Sequence, residues 1–474
     1  MTLFFNKNEN LYLKNAVISR KFPFHYIDKI FGASILMSSI WISLDWLLLS
    51  EDNFSYIYFP WFDIQMIMTS DSLSYVFILL LTLILNLFCT CVEIHEEESW
   101  EIFIYLAFLQ FAVAYTFSVI DILGFFIFFE MTLIPIYFLI LVFGSRERKI
   151  RASYLISIYT LFGSIFMFFN ILYLLSKFGT TNYFHLLNIQ FTEFDARFLW
   201  LTFFIAFAAK IPMLPFHIWL PEAHVEAPTA GSVLLAALLL KLGTYGLVRF
   251  SLKLFPEATL YFSSFINIFA ILSVLYTSLT AVRQIDMKKI IAYSSVGHMN
   301  VVLIGLLVLN IENIEGAIFQ MLSHGIVSAA LFFCVDSFYS RYKVRSIDYF
   351  GGLIVTYPLL SVVFLIFSLA NISFPGTSNF VGEFLIMFGV FPYNSVIVTL
   401  ASLNMIIGAA YTLWAYNRVV FGNIRNKYLL KHFDLSSGEL IRYIILILAM
   451  VIIGIYPSFI LNGLHEYVLY LVMI

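Results

Sequence analysis

The amino-acid sequence contains little charge for its length. Only 12% of its 474 residues are charged, about half of the roughly 25% that soluble domains carry. So few charged side chains could not supply the polar surface that a soluble protein of this size needs. The scarcity of charge therefore excludes a soluble enzyme and a nucleic-acid-binding protein.

Cysteine is also scarce, and the motifs that bind redox cofactors are missing. The three cysteines are Cys89, Cys91 and Cys334, and none of them forms a Cys-x-x-Cys pair. The chain has no glycine-rich dinucleotide fingerprint and no flavin motif. We therefore expect no iron–sulfur cluster and no zinc knuckle held by this chain alone, and we interpret the cysteines as small apolar residues that fill the core.

Long apolar runs are what the sequence has in abundance. Hydrophobic residues make up 61% of the chain, and a hydrocarbon layer about 30 Å thick takes roughly 20 apolar residues per helix. The thirteen candidate spans lie near residues 30–50, 73–92, 101–119, 121–143, 152–176, 197–220, 227–250, 259–282, 288–309, 314–340, 355–391, 394–417 and 440–461. The sequence therefore predicts an all-α polytopic membrane protein with about 13 transmembrane helices.

The distribution of basic residues predicts how these helices are oriented. Nineteen of the 26 Lys and Arg residues fall on the side of the N-terminus, and four fall on the opposite side. Basic residues are enriched in the loops that stay on the inner side of a membrane. The bias therefore predicts an inner N-terminus and an outer C-terminus, as an odd number of spans requires.

Six ionisable residues stand out inside the predicted spans, because even a lenient scale charges about 2.5–3.5 kcal/mol for an Asp, Lys or Arg at a helix centre. Each lies on a different span, and the six are Glu130, Lys210, Lys241, His298, His324 and Glu383. Spread over six helices, they cannot converge on one ion as the ligands of a metal site do. We expect a row of proton- or ion-exchange stations; the alternative is a set of paired charges that only hold helices together.

Helix-breaking residues lie close to these charges along the sequence. They are Pro135, Pro212, Pro215, Pro375 and Gly376. A proline inside a helix removes a backbone donor, and an unsatisfied backbone group at membrane depth persists only where protein or water covers it. We therefore expect two broken helices, the sixth and the eleventh spans.

The two broken helices occupy matching places in the order of spans. Each is the fourth member of a block of five, and because five is odd the two blocks face opposite ways. This is the inverted-repeat plan of many transporters. The predicted division is a polar basic segment at 1–29, N-terminal helices at 30–100, a first five-helix repeat at 101–250, a second at 259–421, and a C-terminal helix and tail at 422–474.

Five stretches around these residues carry a family resemblance. They are Phe129–Pro135 (FEMTLIP), Lys210–Val233 (KIPMLPFHIWLPEAHVEAPTAGSV), Lys241–Gly246 (KLGTYG), Lys288–His298 (KKIIAYSSVGH) and Phe374–Glu383 (FPGTSNFVGE). They resemble the antiporter-like subunit family of respiratory complex I, the proton-pumping NADH:ubiquinone oxidoreductase, over about residues 70–460. The wider family includes large subunits of sodium/proton antiporters. The motifs of this sequence, however, look more like those of the subunit 4 branch in its mitochondrial form.

The resemblance implies a role for each buried charge. Glu130 would pair with Lys210 and set the proton affinity of that lysine. Lys241 would be the central relay, and the two histidines of the set would carry protons towards it. Glu383 would be the group from which the proton leaves to the outer side. All six residues together would form the proton path.

Two features of the sequence have no role in the implied proton path: a pair of histidines, and the segment before the first span. His217 and His224 lie in a motif that also resembles a metal site, but their spacing around Pro221 does not suit a helical ligand pair, so we interpret both as structural. The family usually has fourteen spans, and we expect the N-terminal one to be missing here, because the polar and basic residues 1–29 stand in its place. No proton-path residue belongs to that helix.

The implied function is one that the chain performs only inside a larger complex. It would move protons as a subunit of an H+-translocating NADH:ubiquinone reductase and bind no cofactor itself, while NADH, FMN, iron–sulfur clusters and ubiquinone are expected on partner subunits. Its partners would be other membrane-arm subunits, including other antiporter-like subunits, and lipids, with no nucleic acid. Its place would be the mitochondrial inner membrane, with the N-terminus on the matrix side and the C-terminus on the intermembrane side.

Two other functions are compatible with the same buried residues. A secondary sodium/proton antiporter subunit would run on an ion gradient rather than on redox energy, and its buried stations would look alike. A purely structural membrane subunit would have kept the fold without the transport. A scaffold, however, would gain from losing roughly 10 kcal/mol of buried charge, which argues against the structural alternative.

Overall fold

The computed structural model describes residues 55–59, 64–69, 71–89, 99–424 and 433–472. Almost all of the described elements are α-helices, because a chain in hydrocarbon must satisfy its backbone groups internally. The predicted first span near 30–50, the segment at 1–29 and Cys91 lie outside the described residues.

A two-stranded antiparallel hairpin comes first along the described chain, formed by β1 (Ser55–Phe59) and β2 (Ile64–Met68). Backbone hydrogen bonds continue from it to the helix that ends at Ser118. The helices of the first half are α1 (Ser72–Cys89), α2 (Ser99–Ser118), α3 (Ile122–Met131), α4 (Leu133–Phe143), α5 (Lys149–Phe178), α6 (Tyr183–Leu187), α7 (Glu193–Lys210), α8 (Trp219–Glu226) and α9 (Thr229–Leu254).

The second half repeats this pattern of long and interrupted helices. Its helices are α10 (Pro256–Val282), α11 (Met287–Leu306), α12 (Ile311–Tyr342), α13 (Leu353–Thr356), α14 (Pro358–Asn371), α15 (Ser378–Val390), α16 (Ser395–Val420), α17 (Ser437–Ile455) and α18 (Ser458–Val472). A single 3₁₀ turn, Ile347–Tyr349, precedes α13.

The helices run between two ends of the bundle, which we name after a buried residue at each. At the Arg249 end, the last turns of α9 contact Asp71, which directly precedes α1. At the Lys288 end, the first turn of α11 contacts Ala227, which directly precedes α9, with 2.9 Å between the Lys288 Nζ and the Ala227 carbonyl oxygen. The α9 helix therefore crosses from the Lys288 end to the Arg249 end.

Two helices form the centre of the bundle. The most apolar 18-residue windows of α9 and α12 are 100% buried by the rest of the chain, whereas those of α16 and α17 are only 22% buried. The outer helices expose large apolar side chains along their length, as helices do that face lipid or a partner. Lys241 and Arg249 on α9 are thus shielded from lipid by the rest of the chain.

The first break follows Lys210, where α7 ends. The chain turns through the Pro212 and Pro215 segment before α8 begins at Trp219. Two carbonyls at the end of α7 are satisfied locally: the Met213 amide donates to the Ala208 carbonyl at 3.2 Å, and the Trp219 indole donates to the Ala209 carbonyl at 2.9 Å. The interrupted backbone is therefore covered by protein.

The second break separates α14 from α15 and contains Pro375 and Gly376. Gly376 has a φ of 94°, a left-handed conformation that favours glycine. A Cβ on Gly454 of α17 would lie 2.7 Å from the Gly376 carbonyl oxygen. The backbone of α17 thus packs directly on the break. Near Pro135 the interruption is smaller than expected, since only Thr132 separates α3 from α4.

The predicted all-α membrane fold with two broken helices is confirmed, with differences in detail. Nine described helices are long and apolar enough to cross a membrane, with three shorter apolar helices besides, so the number thirteen is not confirmed. The predicted last span at 440–461 ends earlier, at Ile455, because Pro457 interrupts it. The expected tail is the helix α18, which lies at the Arg249 end, where His465 contacts Glu315 of α12 at 2.6 Å.

Candidate functional site

Lys241 is the buried charge at the centre of the molecule. Its side chain is fully buried, and its Nζ lies 2.9 Å from His324 Nδ1 on α12 and 2.5 Å from the Ala236 carbonyl oxygen. Helix α9 has a π-helical turn on each side of it, at Leu235–Leu239 and Leu247–Ser251. Such turns are frequent at functional sites, and one of them contains the carbonyl that Lys241 binds.

The two histidines connect Lys241 to Glu383. The ring centroids of His298 and His324 lie 5.5 Å apart, and His298 Nδ1 shares a hydrogen bond of 2.5 Å with Glu383 Oε1. The Nε2 atom of His324 is buried without a hydrogen-bond partner among the described residues. Four of the six predicted residues thus form one row that crosses helices α9, α12, α11 and α15.

Glu383 is held at the second helix break. Ser373, in the break itself, donates to Glu383 Oε2 at 2.7 Å, and Gln320 of α12 donates to Oε1 at 3.3 Å. A Cβ on Gly382 would lie 2.8 Å from the Gln320 Cα. Only a glycine at this position lets α12 approach closely enough for Gln320 to reach the carboxylate.

The structure does not place Glu130 and Lys210 in direct contact. No ion pair joins them among the described residues. Lys210 Nζ instead donates to the Phe129 carbonyl at 3.2 Å and to the Thr132 hydroxyl at 3.3 Å. It also lies 4.1 Å from the centre of the Phe129 ring. The ammonium is therefore bound by neighbours of Glu130 in the sequence and not by the Glu130 carboxylate.

The Glu130 carboxylate still senses Lys210. It forms no ion pair in the described part of the chain and lies beside the Ser164 hydroxyl of α5, and Lys210 is the charge that acts on it through space. The expected direct pair is therefore corrected to a longer-range coupling. It arises because Lys210 is bound by the turn between α3 and α4 that contains Thr132.

The first break packs against the helix that carries Lys241. A Cβ on Gly243 would lie 2.9 Å from the Phe207 carbonyl oxygen and 3.2 Å from the Ile211 backbone nitrogen. The end of α7 therefore touches α9 close to its central lysine. Among the described hydrogen bonds, none joins Lys210 to Lys241 directly, so the hydrogen-bonded row does not continue from Lys241 to Lys210.

Sequence reasoning missed a polar branch that leads from Lys241 towards the Lys288 end. His224 is fully buried, stacks on Phe332 with 4.7 Å between centroids, and interacts electrostatically with Lys241 and Lys288. Its ring nitrogens have no hydrogen-bond partner among the described residues. A polar ring buried without a partner is costly, which makes His224 a candidate for a functional position rather than the structural residue that the sequence suggests.

Lys288 is the residue through which this branch reaches the end of the bundle. It is the first residue of the predicted span 288–309, where a lysine normally reaches water, yet its side chain is buried and donates to the Ala227 carbonyl at 2.9 Å and to the Ser232 hydroxyl at 3.1 Å. The Ser232 hydroxyl in turn donates to the His224 carbonyl at 3.1 Å. The neighbouring Lys289 pairs with Glu222 at 3.0 Å.

His217 does not join His224 in a common site. It lies edge-on to Tyr276 with 5.4 Å between ring centroids, whereas His224 stacks on a different helix. No group of three or more His, Cys, Asp or Glu residues suited to a metal ion occurs in the described ranges. Cys334 is buried in the core.

Comparison with known proteins gives relatives for most of the chain. The model of the family described as NADH:quinone oxidoreductase/Mrp antiporter, transmembrane, matches residues 120–408. NADH-ubiquinone oxidoreductase chain 4 of Marchantia polymorpha is 50% identical over 86% of this chain and 82% of its own length. The chain of that name from Arabidopsis thaliana is 48% identical over 90% of this chain and 86% of its own.

Solved structures share the same fold. A chain of respiratory complex I from Thermus thermophilus with bound NADH matches with a TM-score of 0.84 and 27% identity, covering 94% of this chain and 97% of that one. A chain of the Mrp complex from Dietzia sp. DQ12-45-1b matches with a TM-score of 0.83 and 17% identity, covering 97% and 94%. The second likeness is one of fold alone.

Proposed function

The chain belongs to the NADH:quinone oxidoreductase/Mrp antiporter transmembrane family, and from this premise we propose that it is a proton-translocating membrane subunit of an NADH:ubiquinone oxidoreductase. Membership confirms the resemblance carried by the five sequence motifs. The relatives at about 50% identity are named as chain 4 of that enzyme, which favours a redox-driven pump over a gradient-driven antiporter.

The observation that carries this proposal is the row from Lys241 to Glu383. Lys241 and His324 are 2.9 Å apart, and His298 and Glu383 are 2.5 Å apart. All four groups exchange protons reversibly, and between them only the two histidine rings are separated by more than a hydrogen bond. In a purely structural set of charges each polar atom would have a hydrogen-bond partner, whereas His324 Nε2 has none in the described structure.

Each residue has a role in this proposal. Protons are taken up from the Lys288 end through Lys288 and His224, reach Lys241, and pass through His324 and His298 to Glu383. Glu383 at the broken helix then releases them at the Arg249 end. Because no carboxylate pairs with Lys241 among the described residues, its charge state follows that of nearby groups.

In this proposal the first half of the chain regulates the charge state of Lys241. Glu130 and Lys210 form a second charged site on α3 and α7, and α7 packs on the Lys241 helix at Gly243. A change in the charge of Glu130 alters the field at Lys210, and through the contact at the first break the change reaches Lys241. Electron transfer in partner subunits is the source of energy that starts this sequence.

The setting of the chain follows from the same proposal. NADH, FMN, iron–sulfur clusters and ubiquinone belong to partner subunits, and other antiporter-like subunits and lipids cover the exposed apolar helices. The protein is a multi-pass membrane protein, and we place it in the mitochondrial inner membrane, with the Lys288 end and the N-terminus on the matrix side and the C-terminus on the intermembrane side. The two five-helix repeats, at 101–250 and 259–421, provide the two halves.

A native separation of membrane complexes tests this assignment. Membranes are extracted in mild detergent and run on a native gel, the bands are stained for NADH dehydrogenase activity, and this chain is located by mass spectrometry. We expect it in a very large NADH-oxidising band. Its presence only in a small complex without that activity, together with sodium-dependent proton flux, would assign it to the antiporters instead.

A further inference from the structure

The helix that carries Lys241 ends in a buried cation that the proton row does not use. Arg249 lies two helical turns after Lys241, about 12 Å along the axis at ~1.5 Å per residue. Its side chain is 3% exposed and forms an ion pair with Asp71, whose side chain is 22% exposed. It also donates to the Thr69 hydroxyl at 2.8 Å and to the Tyr467 hydroxyl at 3.3 Å.

An aromatic layer lies between Lys241 and Arg249. Tyr245, one turn after Lys241, is fully buried and packs against Phe77, Phe117 and Phe125 with centroid distances of 5.6, 5.0 and 6.3 Å. Its hydroxyl donates to the Phe117 carbonyl at 2.6 Å and lies 3.2 Å from the Ser74 hydroxyl. Because the other side chains of this layer are apolar, the Tyr245 hydroxyl is its polar group between Lys241 and Arg249.

We propose that Arg249, positioned by Asp71 and Tyr467, is an electrostatic seal that stops a proton on Lys241 from leaving along its own helix. The proposal rests on the proposed function, because a seal has meaning only where Lys241 carries a proton. Because Arg249 blocks the route along α9, the proton on Lys241 leaves only through His324, His298 and Glu383. Arg249 is thus a positioning residue for the direction of transport.

Two properties of the site make a seal rather than a second exit. A guanidinium group stays protonated in proteins and accepts no hydrogen bond, so it cannot take a proton from Tyr245 and hand it on. The Asp71 carboxylate lies on the more exposed side of the pair, so the buried face towards Lys241 is the cationic one. Fixed positive charges exclude protons from membrane channels in the same way.

The C-terminal helix α18 takes part in holding the seal. Tyr467 of α18 contacts Arg249, and Lys253, one turn further on, donates to the Tyr470 carbonyl. His465 of α18 pairs with Glu315 at the start of α12. The contact of Tyr467 with Arg249 gives this short amphipathic helix its function in the seal, whereas the pair formed by the exposed His465 lies at the margin and adds little to it.

Passive proton conductance tests the seal without any pumping. The intact complex carrying Arg249→Gln is reconstituted in liposomes with an entrapped pH dye, and a potassium diffusion potential is imposed with valinomycin in the absence of NADH. We expect proton conductance to rise about tenfold over the wild-type complex, the Boltzmann factor for a unit charge about 12 Å away at an effective dielectric constant of about 20. Arg197→Gln is the matched control, because Arg197 is an exposed arginine that pairs with Glu193 and takes no part in the seal; it should leave conductance unchanged.

A double variant shows whether the leak uses the proposed route. Arg249→Gln combined with Lys241→Ala should return conductance to the wild-type level, because the proton on Lys241 is then missing. A leak that persists in the double variant would come from loosened packing and would overturn the proposal. Asp71→Asn keeps the cation, and a leak from it as large as that from Arg249→Gln would also overturn the proposal.

Assembly failure is covered by a second design. If Arg249→Gln does not assemble, the neutral pair Arg249→Gln/Asp71→Asn keeps a hydrogen bond at the site and should leak equally, whereas a tight complex from this pair would refute the seal. Failure of the proposed function has a different signature. Lys241→Ala alone would then leave NADH-driven pumping intact, whatever the passive conductance of the Arg249 variants.

Discussion

His298 Nδ1 and Glu383 Oε1 lie 2.5 Å apart, although 85 positions separate the two residues in the sequence. The contact joins α11 to the helix that follows the second break. The break places Glu383 beside the histidine, because Ser373 in the break binds the other carboxylate oxygen at 2.7 Å. The interruption of the helix and the end of the proton row are therefore one structural feature.

Replacing Glu383 should stop proton release without dismantling the site. Glu383→Gln removes the ionisable group but keeps the size of the side chain and an oxygen for Ser373. Because a positioned proton-transfer group contributes about 10²–10⁴-fold to the rate, we expect the share of NADH-driven pumping that passes through this chain to fall by at least ~10²-fold. The pumping is measured with a pH dye in proteoliposomes.

Glu315→Gln is the matched control for that experiment. Glu315 also pairs with a histidine, but its partner His465 is 52% exposed, and exposed pairs contribute about 0–1 kcal/mol. Pumping should be unchanged in this variant. Equal pumping by both variants would remove Glu383 from the proton path.

The neighbouring lysines 288 and 289 should differ in function. Lys288 is buried and binds Ala227 and Ser232, while Lys289 forms a partly exposed pair with Glu222. We expect Lys288→Gln to slow proton uptake by roughly tenfold or more, as the loss of a relay group does, and Lys289→Gln to leave it unchanged. Stopped-flow recording of proton uptake distinguishes them, and equal rates in both variants would argue against uptake through Lys288.

Glu130 should act through its charge, since among the described residues its carboxylate forms no ion pair and Lys210 acts on it through space. Glu130→Gln keeps a polar side chain of the same size beside Ser164, so the complex should assemble normally while pumping is lost or strongly reduced. The control is Glu193→Gln, whose exposed side chain pairs with Arg197 at 2.8 Å. Normal pumping by the Glu130 variant, measured as acidification per NADH oxidised, would contradict the coupling to Lys210.

Gly382 should be required for the packing around Glu383. A Cβ there meets the Gln320 backbone at 2.8 Å, and overpacking of this kind costs about 1–3 kcal/mol. Gly382→Ala should lower the thermal stability of the complex and its yield on native gels. Gly463→Ala, where a Cβ would find nothing within 4 Å, should have no effect, and equal stability of the two variants would refute the packing argument.

The sequence predicted the six buried charges because each interrupts an apolar run that is otherwise long enough to span a membrane. It could not predict which charges meet, since contacts such as Lys241 with His324 depend on how helices rotate against one another. The direct Glu130–Lys210 pair was expected and is absent from the described ion pairs, because Thr132 and the Phe129 carbonyl bind the ammonium instead. Resemblance alone cannot resolve such a local competition.

Other features left weaker signals in the sequence. The π-helical turns around Lys241 depend on backbone hydrogen bonding, which a run of Leu and Ala does not encode. The hairpin at Ser55–Met68 has aromatic and branched residues typical of strands, and α18 follows Pro457; a search for long apolar runs passes over both. Lys288 lies at the edge of a predicted span, where the sequence gives no sign of burial, although its ammonium is bound by Ser232 and Ala227 inside the protein.

The most direct test of the proton row is the replacement of Lys241, its central residue. The purified complex carrying Lys241→Ala is reconstituted in liposomes, and acidification of the lumen per NADH oxidised is compared with that of wild type and of Lys289→Gln. A normally assembled complex with pumping abolished or strongly reduced in the Lys241 variant alone is the predicted result. Pumping at the wild-type ratio by Lys241→Ala would contradict the account.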